Sequence, residues 1–500
     1  MKGKATFGVL IWPLISLLVF AALIFVERAG IQYTVSAFNE NFIPDEILKA
    51  DKTVQKTECL LLYDSLDEFN EHENIAYVLG EMCVGYQLTD ISTEKLPDWN
   101  QYQTVVVAFT NLDHMQKEIL SLLDWVKEGG RVLFAVIPEP NTTLKVIYDD
   151  LGILYERFAY DQFSSVKMTS DLLPGGKDRM FFWEDDASRT TLGVQLTKEC
   201  VVHMVSGDEH EIPLLWERLY GNGKIVVNNS SIFTEKVSRG FISASYSLLE
   251  DIFAYPVINA SAFFIDDFPA PVPEGYNEII YEQYQTDVEE FYTNIWFPAM
   301  LEFSSRYGLR YTGMIIETYG DSVNPPFEPL EKTGFFKYFG AFLLNENFEI
   351  GLHGYNHMPL VFEDFDYKGM LDYTKWKSQE NMAEAIQEVI RFTKELFPEV
   401  ELKTYIPPSN VLSAEGRAML KECFPQINTI SGLYINDIHG TEQEFGIGND
   451  GLIDLPRIVS GHSLSDQSQW EALSELGFHY MNSYFIHPDD ILDPERSLGK

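Results

Sequence analysis

VINASAFFIDD, residues 257–267, runs from an apolar, strand-like segment straight into two adjacent aspartates, and Phe268-Pro269 ends the strand. Two carboxylates at one strand terminus repel each other. A metal ion or a proton relay relieves that repulsion, which makes Asp266 and Asp267 the first candidates for chemistry.

The next chemistry-bearing stretch is EIGLHGYNHMP, residues 349–359. His353 and His357 have helical i, i+4 spacing, but Gly351, Gly354, Asn356 and Pro359 argue against a regular helix and for a strand running into a tight loop. Two neutral imidazoles converging there with a carboxylate from elsewhere give a His-His-Asp set with open positions for water, suited to a divalent metal: Zn²⁺, with Co²⁺ or Ni²⁺ as alternatives. Further on, KTYIPPSN (403–410) follows the amphipathic segment Gln379 to Leu396 and reads as a short strand ending in a rigid loop. Leu455-Pro456-Arg457 comes next, then YFIHPDD (484–490), where His487 ends another apolar run. Strands expected near 258–265, 310–316, 349–353, 403–406, 427–431 and 482–486 alternate with helices such as 286–307 and 379–396. That alternation predicts a (β/α) barrel with its chemistry at the strand C-terminal ends.

Taken in order, these elements resemble the polysaccharide deacetylase (NodB-homology, carbohydrate esterase) superfamily, from about residue 256 to the chain end. The resemblance implies Asp266 as catalytic base, Asp267, His353 and His357 as metal ligands, Pro407-Pro408 as a groove loop and His487 as catalytic acid. It also implies hydrolysis of N-acetyl groups from a polysaccharide. One departure stands out: the family's third motif usually begins with an arginine that pairs with the base, and KTYIPPSN holds none. If Pro408 is the motif's proline, Ile406 replaces that arginine and the Ser409 N–H faces the oxyanion. The other register puts Pro408, which has no N–H, at the donor position. Arg457 is the candidate to orient Asp266 instead, and Phe268, Tyr355 and Tyr405 are candidates for the floor of a sugar site. The missing arginine leaves open a catalytically weak barrel that binds glycan or serves in assembly of an exopolysaccharide secretion system. A glycosidase is the third reading, separable because it needs two carboxylates and no metal.

Towards the N-terminus, CLLLY (59–63), TVVVAF (104–109) and 131–136 read as buried strands. An apolar-periodic helix at 115–126 stops at Gly129-Gly130, and a closing strand follows the Gly221-Asn222-Gly223 turn. This predicts a flavodoxin/amidotransferase-like parallel α/β domain over 56–250, followed by the deacetylase-like domain over 251–500. No Gly-x-Cys-x-Gly or Gly-x-Ser-x-Gly elbow occurs in the first of these. Cys83, in GEMCVGY, is one residue out of register and reads as a packed cysteine at a helix end, so this domain is expected to be non-catalytic.

Ala5 to Val26 is an apolar run of about 22 residues, enough to cross a bilayer core of about 30 Å. Lys2 and Lys4 precede it and no small-residue cleavage pattern follows. Residues 1–27 are therefore expected to be a retained signal anchor and 28–55 a linker, with the bulk of the chain outside the membrane. The whole chain also resembles a membrane-anchored bacterial family found with Pel-type exopolysaccharide genes, which implies exopolysaccharide synthesis or export proteins as partners. The net charge of −40 argues against a nucleic-acid partner, since phosphate binding needs clustered Lys and Arg. It leaves room for a cationic ligand. Four cysteines without CxxC spacing suggest no thiolate metal site.

Overall fold

Short runs of aliphatic residues become the buried strands of two nine-stranded sheets in the computed structural model, which describes residues 57–67, 71–115, 117–183, 189–435 and 440–492. The expected anchor (1–27) and linker (28–55) lie outside those residues. Among the described residues, no helix is long and apolar enough to cross a membrane.

In the first sheet, Tyr86–Asp90, Cys59–Tyr63, Thr104–Val107, Arg131–Phe134 and Gly223–Asn228 lie side by side and parallel. Numbered along the chain, these five stand in the order 2-1-3-4-5. Leu60 to Leu62 and Val105 to Val107 are buried because helices cover the sheet, and each such side chain stabilises the fold by about 1.5–3 kcal/mol. The expectation of an all-parallel sheet holds only for this portion. Past Gly223–Asn228 the sheet continues antiparallel through Pro213–Tyr220, Val201–Ser206, Ser165–Met168 and Met180–Phe182. The change of direction comes from the tight turn at Gly221, where φ is 62° and a Cβ would stand 2.5 Å from the Lys127 carbonyl oxygen, so only glycine fits. Cys83 does follow a helix, Glu71–Glu81, but it is exposed rather than packed, with φ 58°. All four cysteines are free thiols.

The second sheet is a curled, mostly parallel half-barrel. Its central strands, in spatial order, are Thr404–Tyr405, Glu349–Leu352, Tyr311–Ile315, Ala260–Ile265 and Met481–Ile486. The expected barrel does not close. Among the described residues no ladder joins the edge at Gly446–Ile447, which lies beside Ile453–Asp454, to the edge at Val459–Ser460. The chain itself crosses this seam: the Leu455 N–H bonds Ile430 on one side and the Ile458 N–H bonds Ser483 on the other. Pro456, lacking an N–H, cannot extend a ladder there. The helix expected at 286–307 is interrupted. Val288–Phe291 passes through a π-helical turn, Tyr292–Trp296, into Phe297–Tyr307, because Pro298 removes a helical donor. By contrast Gln379–Leu396 is continuous, N-capped by Ser378, and buries Met382, Ala385, Ile386, Val389 and Ile390 at helical spacing.

One late helix, Asp466–Phe478, packs into the first sheet's core. Trp470, fully buried, stacks on Phe241 with ring centroids 3.7 Å apart and meets Phe181 and Trp183 edge-on. The Gly240 N–H donates to Ser474 Oγ at 2.9 Å, and a Cβ on Gly240 would stand 1.9 Å from the Ser474 carbonyl oxygen. The strand that follows, Met481–Ile486, belongs to the second sheet.

Candidate metal centre

Parallel strands bring their last residues to one edge. Ile265 is in register with Ile486, and the Asp266 N–H donates to the Ile486 carbonyl, so Asp266 and His487 emerge side by side. One strand further on, Ile315 pairs with Leu352 and delivers His353; Leu352 pairs with Tyr405 and delivers Ile406. Three of these strand ends carry a polar side chain, Asp266, His353 and His487, and the fourth presents the Ile406 carbonyl.

Asp267, His353 and His357 converge, with one ligand atom from each lying within 4.8 Å of the others. Asp267 Oδ1 stands 3.8 Å from His353 Nε2 and 3.9 Å from His357 Nε2. Donors about a common ion at bonds of roughly 2.1 Å stand roughly 3.4 Å apart in a tetrahedron, and the two carboxylate–imidazole separations exceed that spacing by about half an ångström. His353 donates Nδ1–H to the Ile406 carbonyl at 2.8 Å, which turns Nε2 toward the cleft, where it is buried without a hydrogen-bond partner. Burial pushes the imidazole of His353 down to about 3 and that of His357 to about 4, which keeps both neutral and able to ligate. The residues present therefore fit a metal ion. Asp267 and His357 reach their positions with φ of 51° and 58°, a backbone region uncommon for non-glycine residues.

Beside the triad, Asp266 is 1% exposed. Arg457, equally buried, donates to its Oδ2, and His487 Nε2 lies 3.7 Å from the same oxygen. Burial opposes ionisation of Asp266, yet the Arg457 guanidinium and the neighbouring imidazoles hold its carboxyl below the usual range. Its other oxygen, Oδ1, is buried with no hydrogen-bond partner among the described residues. For His487, burial works against the charged form, but the Asp490 and Asp266 carboxylates carry it above the ordinary imidazole value. Arg457 is delivered by the chain that crosses the seam of the half-barrel and is held from its far side by Asn410 Oδ1. Position 406, where the resembled family places its arginine, contributes a carbonyl instead, and the Ile406 side chain is wholly buried.

These groups line an open cleft of about 450 Å³, together with Ser409, Tyr373 and Tyr319. Tyr373, which the sequence reading did not single out, bonds Ser409 Oγ at 2.7 Å and lies 3.3 Å from His357 Nδ1. Ser409 and Asn410 carry φ of 48° and 60°. Pro408 lies behind the cleft, buried, its ring facing Gly354. The three aromatics suggested for a sugar floor are elsewhere. Phe268 is packed among Trp296, Phe297 and Phe339, Tyr405 is fully buried, and Tyr355 donates its hydroxyl to the Glu328 carbonyl. Tyr319, 54% exposed, is the more exposed of the two tyrosine rings that line the cleft. An exposed aromatic in a loop carries no periodic signal by which the sequence could have marked it.

A family model described as "Uncharacterised protein conserved in bacteria (DUF2194)" matches residues 16–174 and 161–500. The chain belongs to the DUF2194 family. No curated protein matches this DUF2194 chain. Solved structures similar in part include a beta-galactosidase from Bacillus circulans sp. alkalophilus (13% identity, TM-score 0.29, covering 39% of this chain and 31% of that one). A cytoplasmic protein from Salmonella typhimurium LT2 is similar at 13% identity and TM-score 0.30, over 39% of this chain and 97% of that one. An exo-beta-1,4-mannosidase from Opitutaceae bacterium strain TAV5 is similar at 16% identity and TM-score 0.29, over 41% and 38%. The DUF2194 chain thus spans about a third of the length of the two glycosidases it matches.

Proposed function

We propose that this protein is a metal-dependent deacetylase that hydrolyses N-acetyl groups of an extracellular polysaccharide or cell-wall glycan at the outer face of the membrane, anchored there by residues 1–27. The observation that carries this reading is the placement of Asp266 and His487, a carboxylate and an imidazole, on the same cleft wall as the His353, His357 and Asp267 triad. A divalent ion held by the triad, Zn²⁺ in the first instance, supplies Lewis acidity to the amide oxygen and to the attacking water.

The chain's own groups then have definite tasks. Asp266, kept ionised by Arg457, accepts the water's proton at its unbonded Oδ1. His487, whose charged form is favoured by Asp490 and Asp266, gives a proton to the departing amine. Water's oxygen joins the carbonyl carbon first, and the amide C–N bond then breaks, leaving acetate and a free amine. Assistance of this kind is worth about 10²- to 10⁴-fold for each group. Tyr373 fixes the Ser409 side chain against the triad, and the Ser409 N–H is the assigned donor to the oxyanion. The cleft's acidic, open lining suits a polymer passing across it, and the proteins of an exopolysaccharide synthesis or export system are its natural neighbours.

The test is acetate release from N-acetylated hexosamine oligomers by the purified protein with Zn²⁺, Co²⁺ or Ni²⁺, with chelator, and with Asp266→Asn. Metal-dependent release, lowered by about 10²-fold or more in Asp266→Asn, is expected. Bound metal without release from any acetylated oligomer would overturn the reading and favour a glycan-binding or assembly role.

A further inference from the structure

A second cavity, of about 780 Å³, lies at the carboxyl edge of the first sheet. Its walls come from the ends of three adjacent parallel strands: Thr110 follows Thr104–Val107, Ala135 follows Arg131–Phe134, and Asn228 ends Gly223–Asn228. The first residue of the helix Glu71–Glu81 completes it. A 2-1-3-4-5 parallel sheet binds its ligands at this edge, and the volume is that of a small-molecule site, about 300–1,000 Å³.

The lining chemistry restricts the occupant. Three carboxylates, Glu71, Glu139 and Glu235, face one guanidinium, Arg189. Arg189 is already engaged: its Nε donates to Glu235 at 2.9 Å and its guanidinium lies over the Trp183 ring at 4.4 Å. A phosphate or another anion therefore meets like charge, and among the described lining residues the one cation, Arg189, is already held by Glu235. The neutral polar groups are engaged too. Asn228 uses its amide on the Ala135 and Ser230 carbonyls and its oxygen on the Ser230 N–H and hydroxyl. Thr110 is bound to Asp67.

Glu71 is the exception. It is 7% exposed, it borders the cavity, and its Oε2 is buried with no hydrogen-bond partner among the described residues. A buried carboxylate oxygen in that position lacks a donor, and one bearing positive charge serves it best. Burial holds the Glu71 carboxyl above its ordinary range, as an acid does when its counter-charge is absent. At the mouth, Tyr160 presents a half-exposed ring, a surface for the apolar face of a pyranose.

We infer that this cavity binds a hexosamine carrying a free amine, with the ammonium seated between Glu71 and Glu139. The choice of sugar rests on the deacetylase reading, in which a free-amine hexosamine is the product of the metal cleft on the same chain. The first sheet is then a product-holding module that keeps the deacetylated polymer on the protein while the second sheet acts on the next residues.

Calorimetric titration of the full-length chain with a glucosamine tetramer and with an N-acetylglucosamine tetramer tests this, using an Asp267→Asn background to prevent turnover. The free-amine tetramer is expected to bind the Asp267→Asn protein, and the acetylated tetramer to bind it roughly tenfold more weakly or worse. Glu71→Gln, and independently the more exposed Glu139→Gln, are each expected to weaken the free-amine tetramer by roughly tenfold. Equal affinity for both tetramers, no binding of the free-amine tetramer, or affinity unchanged in both Glu variants would overturn the inference. Acetate release is measured separately on the parent and on Glu71→Gln. Its absence from both, with tetramer binding intact, sinks the deacetylase reading and leaves the amine site standing.

Discussion

At their carboxyl edges the two sheets treat polar side chains in opposite ways. Around the first cavity nearly every buried polar group closes on a neighbour, as Asn228 does on Ser230 and Thr110 on Asp67. Around the second, Asp266 Oδ1 and His353 Nε2 are held inside the protein with bonding capacity unused, and Asp267, His357, Ser409 and Asn410 all sit at positive φ. A buried polar atom without a partner is costly, by about 1–3 kcal/mol, and a left-handed non-glycine residue adds to that cost. A fold retains such features where a ligand supplies what is missing. The difference teaches that unmet hydrogen-bonding capacity, rather than cavity volume, separates the two edges, and it gives Glu71 its weight as the single departure described at the quieter one.

The strongest way to break this comparison is to remove what joins the two sheets. Trp470→Ala leaves a large void beneath Phe241, Phe181 and Trp183, and an unfolding free energy lower by about 3–5 kcal/mol is expected. If differential scanning calorimetry shows the loss confined to one of two separate transitions, the sheets do not share a core. Next in size is His353→Ala, which removes a ligand whose orientation is fixed by Ile406. Zn²⁺ affinity by competition titration should fall roughly 100-fold or more, with the first cavity's amine binding intact. The same titration carries a pH signature. With the imidazoles of His353 and His357 lowered to about 3 and about 4, their neutral, ligating forms persist well below the ordinary imidazole value. Zn²⁺ affinity should therefore change little between pH 7.5 and 5.5; a steep fall across that window contradicts the burial described for them.

The smallest effect concerns Glu317, wholly buried just after Tyr311–Ile315, with one carboxyl oxygen bonded to the Leu330 N–H and the other unbonded. Burial pushes its carboxyl up to about 7. Because the folded value lies above the unfolded one, the stability linked to this proton is fully present below about pH 4.5 and is lost as pH rises through about 7. Glu317→Gln should therefore gain on the parent by a few degrees of melting temperature, roughly, between pH 5.5 and pH 8. A constant difference across that range would show that Glu317 is ionised at both.

Legibility in the sequence followed burial pattern. Ala260–Ile265 and Met481–Ile486 were readable because apolar runs end abruptly in Asp266 and His487. The antiparallel strands between 165 and 220 were not, since half-buried strands dilute the apolar run, and two-residue strands such as Ile453–Asp454 carry no pattern at all. In the cleft, the charged and imidazole groups were legible as strand-end residues. Arg457 stood out only as a substitute for a missing arginine, and its route to Asp266 depends on a seam that a closed barrel would not have. Tyr373 and Tyr319 come from loops, where position is set by long-range contacts rather than by local spacing. Ile406 acts through its backbone, which no side-chain reading reveals.

The helix Asp466–Phe478 has a consequence for the order in which the chain assembles. During synthesis the strands from Cys59 to Asn228 emerge first, yet the ring that fills the space against Phe241 is Trp470, more than two hundred residues downstream. The first sheet must wait on the ribosome with that apolar surface uncovered while every strand of the half-barrel but Met481–Ile486 is made. A nascent chain halted before Trp470 should expose a surface that chaperones recognise, and release of that surface would mark the moment the last helix docks.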